Sequence, residues 1–525
     1  MIDTKLLRQK ILDLAIRGKL VPQNPADEPA SELLKKIKAE KEALVKAGKI
    51  KKDKHESFIF QGDDKRYYWH VAGEKNFSPI TLPFQLPQNW LWVNLGDIMD
   101  IARGGSPRPI DDYLTNEPNG YNWIKIGDVS PGSKYITSTK EKIRAEGLSK
   151  TRYVESGDFL LTNSMSFGRP YILKTNGCIH DGWLVLHPLP PTIDADFLFY
   201  ALSSTTIYEL LRQAASGSTV KNLNSDTVKQ LYFPLPPLVE QKRIVAQIES
   251  LLKFVDEIDK ESETLEKSIK LAKQKVLDLA IRGKLVPQNP EDEPASELMK
   301  RINAEKEALV KAGKLKKNKH ESFIFRGDDN CYHEYIDGKS SDITGEIPFE
   351  LPQSWIWCRI GNIGTINPRN HVADDSTMVS FMPMTQLEGG YGSNYTLSER
   401  TWQDVKTGFT HIQENDVVFA KITPCFQNRK SAIMRGLKNG YGAGTTELHV
   451  IRCFFPVFPE YILWFLKNQT FISDAVSTIQ GVVGQQRIDA NFIRNYLLPL
   501  PPLSEQKRIV AQVEKLLSVL ETMRG

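Results

Sequence analysis

Six short loops in this sequence of 525 residues combine basic, amide or hydroxyl side chains with glycine or proline. They are residues 103–109 (RGGSPRP), 163–169 (NSMSFGR), 216–222 (SGSTVKN), 367–371 (NPRNH), 421–430 (KITPCFQNRK) and 480–487 (QGVVGQQR). A guanidinium can hydrogen bond to O6 and N7 of guanine, an amide to adenine, and a hydroxyl or backbone amide to phosphate. A single loop of this kind is more often a plain surface turn. Whether these loops bind DNA therefore depends on whether several of them occur in one part of the chain.

The side chains in these loops that could contact DNA form two groups of candidates. In the first half of the chain they are Arg103, Ser106, Arg108, Asn163, Ser164, Ser166, Arg169, Ser218, Thr219 and Lys221. In the second half they are Arg369, Asn370, His371, Lys421, Thr423, Gln427, Asn428, Arg429, Gln485, Gln486 and Arg487.

The motifs of common enzyme classes are absent from the sequence. There is no GxxxxGK[ST] phosphate loop and no GxGxxG, HExxH or GxSxG motif. The nearest approach to the Asn-Pro-Pro-aromatic motif of amino-methyltransferases, at Asn367, lacks the second proline and the aromatic residue. The five cysteines form no CxxC or Cys/His cluster, which predicts neither disulfides nor a metal site. We therefore predict no catalytic residues, with a nuclease site among the scattered acidic residues as the open alternative.

Composition is that of an ordinary folded protein, with 40% hydrophobic and 25% charged residues. A formal net charge of +4 is too mild to indicate nucleic-acid binding by itself. The N-terminus has no apolar signal segment, and the most apolar stretch, residues 454–466, is short and broken by prolines. Together with the cysteine pattern, this favours a cytoplasmic location without membrane contact.

The candidate loops lie between blocks that occur twice, 265 residues apart. Residues 10–64 and 275–329 differ at only eight of 55 aligned positions. The junction PLPPLxEQKRIVAQ and the opening LPQ-x-W recur at the same spacing. Between these blocks, residues 98–230 and 363–495 share almost nothing except their length. The repeated frame indicates that one kind of partner binds to the chain twice. The two unlike inserts indicate that each binds a different ligand.

A 3.5-residue apolar period runs for five heptads from Glu240 and stops at Gly283. It predicts a coiled-coil helix roughly 60 Å long. Its second copy is split, with one half ending the chain and the other half beginning it. The predicted seam residues are Ile244, Ile248, Leu251, Val255, Ile258, Leu265, Ile269, Ile509, Val513, Leu516, Leu520, Leu7, Ile11 and Leu14. The two chain ends would rebuild a second helix, which predicts a circular, pseudo-two-fold arrangement of antiparallel helices.

Each copy of the frame continues with a charged helix, predicted at residues 30–46 and 295–311 with Ser31 and Ser296 as N-caps. A basic run follows, containing Lys49, Lys51, Lys52, Lys314, Lys316 and Lys317. Docking of a partner or of DNA phosphates and a plain solvated loop both stay open for this run. The inserts contain short strand-like runs and helical segments at residues 198–211 and 460–471, so the predicted fold class is mixed α/β.

The order of these pieces resembles the specificity subunit of type I restriction-modification enzymes. The duplicated LPQ-x-W openings, the two PLPPLxEQKRI junctions, the long helix and the repeated AIRGKL segment carry the resemblance over essentially the whole chain. It implies two target recognition domains, each recognising half of a split DNA sequence, joined by antiparallel coiled-coil helices. It also implies double-stranded DNA, two methyltransferase subunits and restriction subunits as partners. S-adenosylmethionine, ATP and Mg are expected on those partners, and no cofactor is expected on this chain.

The resemblance predicts five segments. They are a frame segment (residues 1–80), a first recognition domain (81–233), a central region with the long helix (234–345), a second recognition domain (346–498) and a C-terminal helix (499–525). The first segment departs from the commonest layout of the family, in which the recognition domain comes first.

Within this frame, three loops per insert favour DNA recognition over plain turns. The tryptophans of the two domain openings, Trp90, Trp92, Trp355 and Trp357, are predicted to anchor cores rather than stack on bases. We therefore expect a non-catalytic recognition and scaffolding subunit. Two alternatives remain: a self-contained DNA methyltransferase or nuclease, and a structural coiled-coil adaptor.

Overall fold

The computed structural model describes residues 2–51, 57–71, 76–129, 132–163, 167–189, 193–215, 222–316, 322–478 and 487–523. The chain divides into two compact units, Ile2–Ser262 (the N-terminal unit) and Glu263–Gly525 (the C-terminal unit). Each unit contains one insert and one copy of the frame. The five-segment division stays a prediction.

The N-terminal unit is built from small sheets and helices. Its helices are α1 (Thr4–Ile16), α2 (Ala30–Lys46), α3 (Leu95–Ile98), α4 (Ala195–Leu202), α5 (Thr205–Ala214), α6 (Ser225–Lys229) and the first half of α7 (Leu238–Ile281). Its strands are β1 (Ser57–Gln61), β2 (Tyr67–Val71), β3 (Ser78–Ile80), β4 (Leu91–Asn94), β5 (Met99–Arg103), β6 (Leu114–Thr115), β7 (Tyr121–Ile124), β8 (Tyr135–Ile136), β9 (Glu141–Ile143), β10 (Arg152–Val154), β11 (Phe159–Thr162), β12 (Pro170–Leu173), β13 (Gly177–Ile179), β14 (Trp183–Pro188) and β15 (Tyr232–Leu235).

The C-terminal unit begins with the second half of α7. Its further helices are α8 (Ala295–Lys311), α9 (Ile360–Ile363), α10 (Trp402–Val405), α11 (Thr423–Gln427), α12 (Pro459–Leu466), α13 (Gln469–Ser477), α14 (Ala490–Asn495) and α15 (Leu503–Thr522). Its strands are β16 (Ser322–Arg326), β17 (Tyr332–Ile336), β18 (Lys339–Asp342), β19 (Ile356–Arg359), β20 (Gly364–Ile366), β21 (Met378–Met382), β22 (Ser398–Thr401), β23 (Thr410–Gln413), β24 (Val417–Ala420), β25 (Ser431–Ile433), β26 (Tyr441–Gly444), β27 (Leu448–Cys453) and β28 (Leu497–Leu500).

The two inserts share a four-stranded arrangement in both of their sheets although their sequences differ, and the N-terminal insert adds one edge strand to each sheet, β8 and β6. The antiparallel order β5-β14-β11-β12 in the N-terminal unit corresponds to β20-β27-β24-β25 in the C-terminal unit. A second sheet, β9-β7-β13-β10, corresponds to β22-β21-β26-β23, and both have one parallel pair at their centre. The predicted mixed α/β class is confirmed.

The strands at the centre of each insert follow from the sequence. β11 and β24 are short apolar runs with every residue buried, and each begins just after a turn residue with positive φ, Gly157 or Asn415. The two segments that the sequence predicted as helical are each divided into two helices. Ser204 and Asn468 accept hydrogen bonds from the backbone amides of Ile207 and Thr470, so each residue caps a new helix.

The long helix predicted from the heptad pattern is α7, whose 44 residues span roughly 66 Å. It ends at Ile281, and Gly283, two residues further on, has a φ of +65°. A Cβ built there would lie 2.4 Å from Cγ of Pro352, so only glycine fits. This side of the glycine faces the LPQ-x-W opening of the second insert.

The frame helices pair in the same way in both units. In the N-terminal unit Arg8 of α1 forms an ion pair with Asp256 of α7, at 2.6 Å. In the C-terminal unit Lys273 of α7 forms an ion pair with Glu521 of α15, at positions shifted by 265 in both partners. The charged partners are of the same sign at each position, although the residue types differ. The frame geometry is therefore duplicated, not only its sequence.

A buried carboxylate ties each insert opening to the first turn of a long helix. Glu240 Oε2 accepts a hydrogen bond from the indole Nε1 of Trp90 at 3.0 Å, and its Oε1 accepts one from Gln23 at 2.6 Å. Glu505 accepts the equivalent bonds from Trp355 at 2.9 Å and from Gln288 at 2.5 Å. Burial raises the pKa of both carboxyl groups. All four tryptophans of the openings, Trp90, Trp92, Trp355 and Trp357, are at most 5% exposed, which confirms their predicted anchoring role.

Most predicted seam residues lie inside the helix packing. Ile244, Ile248, Val255, Ile269, Ile509, Val513 and Ile11 are buried, and Leu251, Ile258, Leu516, Leu520 and Leu7 are half-buried. Leu14 and Leu265 are 39% and 46% exposed, which contradicts a seam position for them. Leu265 lies two turns before Lys273, whose partner is already at the end of α15, so α15 does not extend alongside it.

The predicted N-caps Ser31 and Ser296 are wrong. Helices α2 and α8 begin at Ala30 and Ala295, so Pro29 and Pro294 stand at the N-cap positions and no side chain caps either helix. The first backbone amide of each helix instead donates to a carbonyl of the LPQ-x-W opening, Asn89 or Ser354. The described frame lysines Lys49, Lys51, Lys314 and Lys316 are exposed, and Lys52 and Lys317 lie outside the described residues.

Candidate DNA-binding surfaces

The predicted loops of each insert meet where its central strand ends. In the N-terminal unit Asn163 follows β11, and its carbonyl accepts a hydrogen bond from the amide of Leu223 at 3.1 Å. In the C-terminal unit Lys421 follows β24, and its carbonyl accepts the same bond from Ile488 at 3.1 Å. Leu223 and Ile488 are equivalent in the 265-residue repeat; each is buried and directly follows a third loop. In each unit, the start of the second predicted loop thus meets the residue that follows the third.

Asp181 organises the first two loops of the N-terminal unit. Its carboxylate accepts a hydrogen bond from the Ser106 hydroxyl at 2.8 Å and forms an ion pair with Arg108 at 3.2 Å. Its backbone carbonyl accepts bonds from Arg103 Nε at 3.0 Å and from Asn163 Nδ2 at 2.7 Å. The hydrogen bond from Ser106 is the main cause that lowers the pKa of Asp181, so the carboxylate stays charged at neutral pH.

Arg108 and Asn163 differ sharply in access to a ligand. The Arg108 side chain is 80% exposed, so its ion pair with Asp181 is screened by water and can be exchanged for a ligand. Asn163 is 1% exposed, and its amide holds the Asp181 turn against the end of β11. Contact between Asn163 and a base would require this turn to open. Arg169 is exposed, while Ser164, Ser166, Ser218, Thr219 and Lys221 lie outside the described residues.

A concave pocket of about 280 Å³ opens beside the Asp181 turn. Its lining residues are Ser106, Pro107, Arg108, Ile110, Trp123, Lys125 and His180. Lys125 forms an ion pair with Glu141 at 2.5 Å, and burial lowers the pKa of His180. Both ring nitrogens of His180 are hydrogen-bonded to backbone amides, those of Ile126 and Gly182. The pocket thus offers cationic and hydroxyl groups, which suit the polar edge of a base or a phosphate.

His449 connects all three predicted loops of the C-terminal unit. Asn367 Nδ2 donates to its Nδ1 at 3.0 Å, and its Nε2 donates to the carbonyl of Ile488 at 2.8 Å. The Ile488 amide is bonded in turn to Lys421. Burial lowers the pKa of His449 to about 4, so the imidazole is neutral at pH 7 and can both donate and accept.

Glu447 has the role in this unit that Asp181 has in the other. Arg487 binds its carboxylate through Nε at 3.0 Å and Nη2 at 2.5 Å. This bidentate pair is the main cause that lowers the pKa of Glu447, and Lys421 adds a weaker attraction. The arginine side chain is 45% exposed. In both units, therefore, a carboxylate positions an exposed arginine beside the end of the central strand.

Three further candidates in the C-terminal unit are held inside the fold. Arg429 donates to the Lys467 carbonyl at 3.0 Å and to Gln469 at 2.5 Å, and its guanidinium lies over the Tyr391 ring. Asn370 is 7% exposed and bonds to the Ile412 carbonyl.

Thr423, at the start of α11, is 8% exposed. The remaining candidates fall into two groups, with Arg369, His371, Gln427 and Asn428 exposed and Gln485 and Gln486 outside the described residues.

The comparisons with known proteins agree on one family. Residues 87–267 match the model of the type I restriction modification DNA specificity domain. Two Escherichia coli proteins, the type I restriction enzyme EcoAI and EcoEI specificity subunits, are each 43% identical over 49% of this chain. The matched part is 40% of the length of each relative.

A longer match and a solved structure extend the similarity over most of the chain. The Escherichia coli EcoKI specificity subunit is 22% identical over 84% of both chains. A solved chain from a type I restriction-modification system matches the fold with a TM-score of 0.55, at 18% identity, over 84% of this chain and 93% of its own. The resemblance to type I specificity subunits that the sequence predicted is confirmed.

The type I specificity domain match covers the pocket, the Asp181 turn and the first half of α7. The C-terminal unit repeats the four-stranded core of its sheets and the hydrogen bond at the end of its central strand. Among the described residues, no group of three or more His, Cys, Asp or Glu side chains could hold a metal ion, and no helix is long and apolar enough to cross a membrane.

Five residues that organise these surfaces were not found from the sequence: Lys125, His180, Asp181, Glu447 and His449. Each is far along the chain from the loop that it supports, and none belongs to a repeated or punctuated motif. The only available signal was the Asp181–Gly182 pair, which is typical of a turn between two strands.

Proposed function

We propose that this chain is the DNA sequence-recognition subunit of a type I restriction-modification complex. Each unit recognises one half of a bipartite, asymmetric target, and the duplicated frame holds two methyltransferase subunits, with restriction subunits joining that core. S-adenosylmethionine, ATP and Mg would act on those partners in the cytoplasm, and this chain would supply recognition without catalysis.

One observation carries the proposal: the same frame and sheet topology occur twice, but different side chains stand at the ends of the central strands. The Asp181 turn presents Ser106 and Arg108, whereas the His449 cluster presents Lys421 and Arg487. The two units thus have the same backbone arrangement but present different polar side chains. This suits a ligand that has the same backbone at both sites and a different sequence at each. Duplex DNA is such a ligand, because phosphates position a protein and base edges specify it.

The test is to purify the chain with its methyltransferase subunit and measure binding to duplexes randomised at every position. We expect two separated half-sites. Exchange of residues 98–230 for the insert of another family member should alter one half-site and leave the other unchanged. A simultaneous change in both half-sites would contradict recognition by two independent units.

The same preparation separates the alternatives. S-adenosylmethionine binding by this chain alone, measured by calorimetry, would favour a self-contained methyltransferase. Failure to shift any duplex, with or without the partner subunit, would favour a structural adaptor.

A further inference from the structure

Each unit carries a small three-stranded sheet in its frame, β1-β2-β3 or β16-β17-β18, with aromatic rings on its outer face. In the N-terminal unit Phe58 lies opposite His70 and Phe60 opposite Tyr68 across the β1–β2 pair. The centroids of these ring pairs are 4.9 and 5.7 Å apart. Phe77, next to β3, adds a ring that is 55% exposed. Such a row of rings at a surface has no evident role in the unit's own core.

The C-terminal unit has the same aromatic row. Phe323 lies opposite Tyr335 and Phe325 opposite His333, with ring centroids 5.1 and 5.6 Å apart. Phe323 is 55% exposed and Phe325 is 40% exposed. The other face of this sheet is internal, because Ile324 packs against the cluster around Trp357. The aromatic face is thus turned away from the core.

The second strand keeps this face although its sequence has changed. At equivalent positions Tyr68 is replaced by His333 and His70 by Tyr335, so the tyrosine and the histidine have exchanged places. Between them on the inner face, Trp69 is replaced by Glu334, which is buried and paired with an arginine at 2.6 Å. The partly exposed face stays aromatic, whereas the position beside it changes from the half-buried Trp69 to the buried Glu334. This pattern favours a constraint on the face from outside the unit.

In each sheet an aspartate in the turn before the second strand contacts one ring of the row, although the ring type differs between the units. The Tyr68 hydroxyl donates to Asp64 at 2.7 Å, and at the equivalent positions His333 Nε2 lies 3.0 Å from Asp329. In both sheets, the turn aspartate fixes the second ring of the row. The orientation of this ring is thus kept when its identity is not.

We propose that these two aromatic faces are docking surfaces for two copies of the methyltransferase subunit, one on each unit. The inference rests on the proposed function, which supplies a partner present twice. A ligand that differs between the units would bind to the inserts, which are unlike. The aromatic face is the same in both units, so it suits a partner protein of which two identical copies bind. Exposed rings are typical of protein interfaces, and in duplex DNA the base faces are stacked and unavailable to them.

The test uses native mass spectrometry of the full chain with the purified methyltransferase subunit. The wild type should bind two copies. The pair Phe58→Ser and His70→Ser should leave one copy bound, as should Phe323→Ser and Tyr335→Ser, and all four changes together should leave none. The affinity at each altered face should fall at least about tenfold, because truncated aromatic anchors commonly cost that much.

Two control variants distinguish docking from general damage. Phe455→Ser removes a ring that is 76% exposed in the second insert, and it should leave two copies bound. The exchange Tyr68→His with His70→Tyr gives the first sheet the ring order of the second, and it should also bind two copies. Loss of binding in the exchanged variant would overturn the proposal.

Two bound copies in the four-substitution variant would also overturn it, as would a wild type that binds no methyltransferase. A defect confined to duplex binding or to self-association of this chain would show that the faces serve nucleic acid or a second copy instead. Half-site recognition is measured separately on the same variants. Failure of the wild type to recognise DNA would refute the proposed function without changing the stoichiometry result.

Discussion

Replacement of His449 by phenylalanine tests whether one buried imidazole joins the recognition loops of the C-terminal unit. The ring volume is kept, but the carbonyl of Ile488, which is 1% exposed, loses its hydrogen-bond donor. Asn367 is exposed and can bond to water instead. One buried polar group left unpaired costs about 1 to 3 kcal/mol, so we expect the unfolding free energy of this unit to fall by that amount at pH 7.

The same substitution has a pH signature. The pKa of His449 is about 4 in the folded protein, against an ordinary value of about 6.5 in the unfolded chain. Above pH 6.5 the neutral imidazole therefore contributes its full stabilisation. As the pH falls towards 4, protonation of the unfolded chain lowers the unfolding free energy, and the loss reaches about 3 kcal/mol. The phenylalanine variant has no such dependence. Its stability deficit should shrink or reverse between pH 7 and pH 4.5.

Hydrogen exchange with mass spectrometry on peptides from β24 and β27 measures this opening free energy within the unit. The matched control is His371→Phe, because His371 is exposed in the same group of loops and should change stability by less than about 0.5 kcal/mol. In binding to randomised duplexes, H449F should weaken the preference at one half-site only. An equal deficit at both pH values, or a titration of His449 near 6.5 by NMR, would refute the reasoning.

Four further outcomes follow from the same geometry. Arg108→Ala should weaken specific binding by about 1 to 3 kcal/mol and relax the preference at one position, measured on randomised duplexes. Lys49→Gln should instead lower both the affinity for every duplex and the salt dependence of that affinity, or it should weaken methyltransferase docking. In neither case should base preference change. Glu505→Ala should destabilise the C-terminal unit by about 1 to 3 kcal/mol in hydrogen exchange, and Glu240→Ala should do the same in the N-terminal unit. A heptad added after Ser262, with the terminal helix lengthened to match, should widen the preferred spacer by roughly three base pairs, since seven residues add roughly 10 Å; an unchanged spacer would show that the helices do not set it.

The frame could be predicted well from the sequence because its structure depends on local and repeated signals. Helices α2 and α8 begin and end at the predicted residues, and α7 agrees within two residues at each end. Heptad period, proline and glycine are enough for this. The small aromatic sheets were missed because their strands lie in the predicted frame segments 1–80 and 234–345, for which only helices and basic runs were predicted. Their pairing is visible only from the backbone.

The sites were predicted less well, for a physical reason. The sequence located the loops at the ends of strands, but it could not say which of their side chains face solvent. Arg108 and Arg429 look alike in the sequence, yet one is 80% exposed and the other is bonded to a carbonyl 38 residues further along the chain. Such partners are brought together by the fold and leave no local pattern.

The two units together indicate how one scaffold can acquire different specificities. In both inserts the strand order of the central sheet is the same, and the same hydrogen bond joins the end of the central strand to the residue after the third loop. Under the proposed function, features that do not vary would therefore set the position of the DNA. The groups that support the loops do vary, from the Asp181 turn to the His449 cluster, and each is buried or charge-paired. An insert can therefore exchange its exposed side chains and their local support without changing the sheets beneath. The carboxylates Glu240 and Glu505 meanwhile hold the two insert openings by equivalent hydrogen bonds to Trp90 and Trp355.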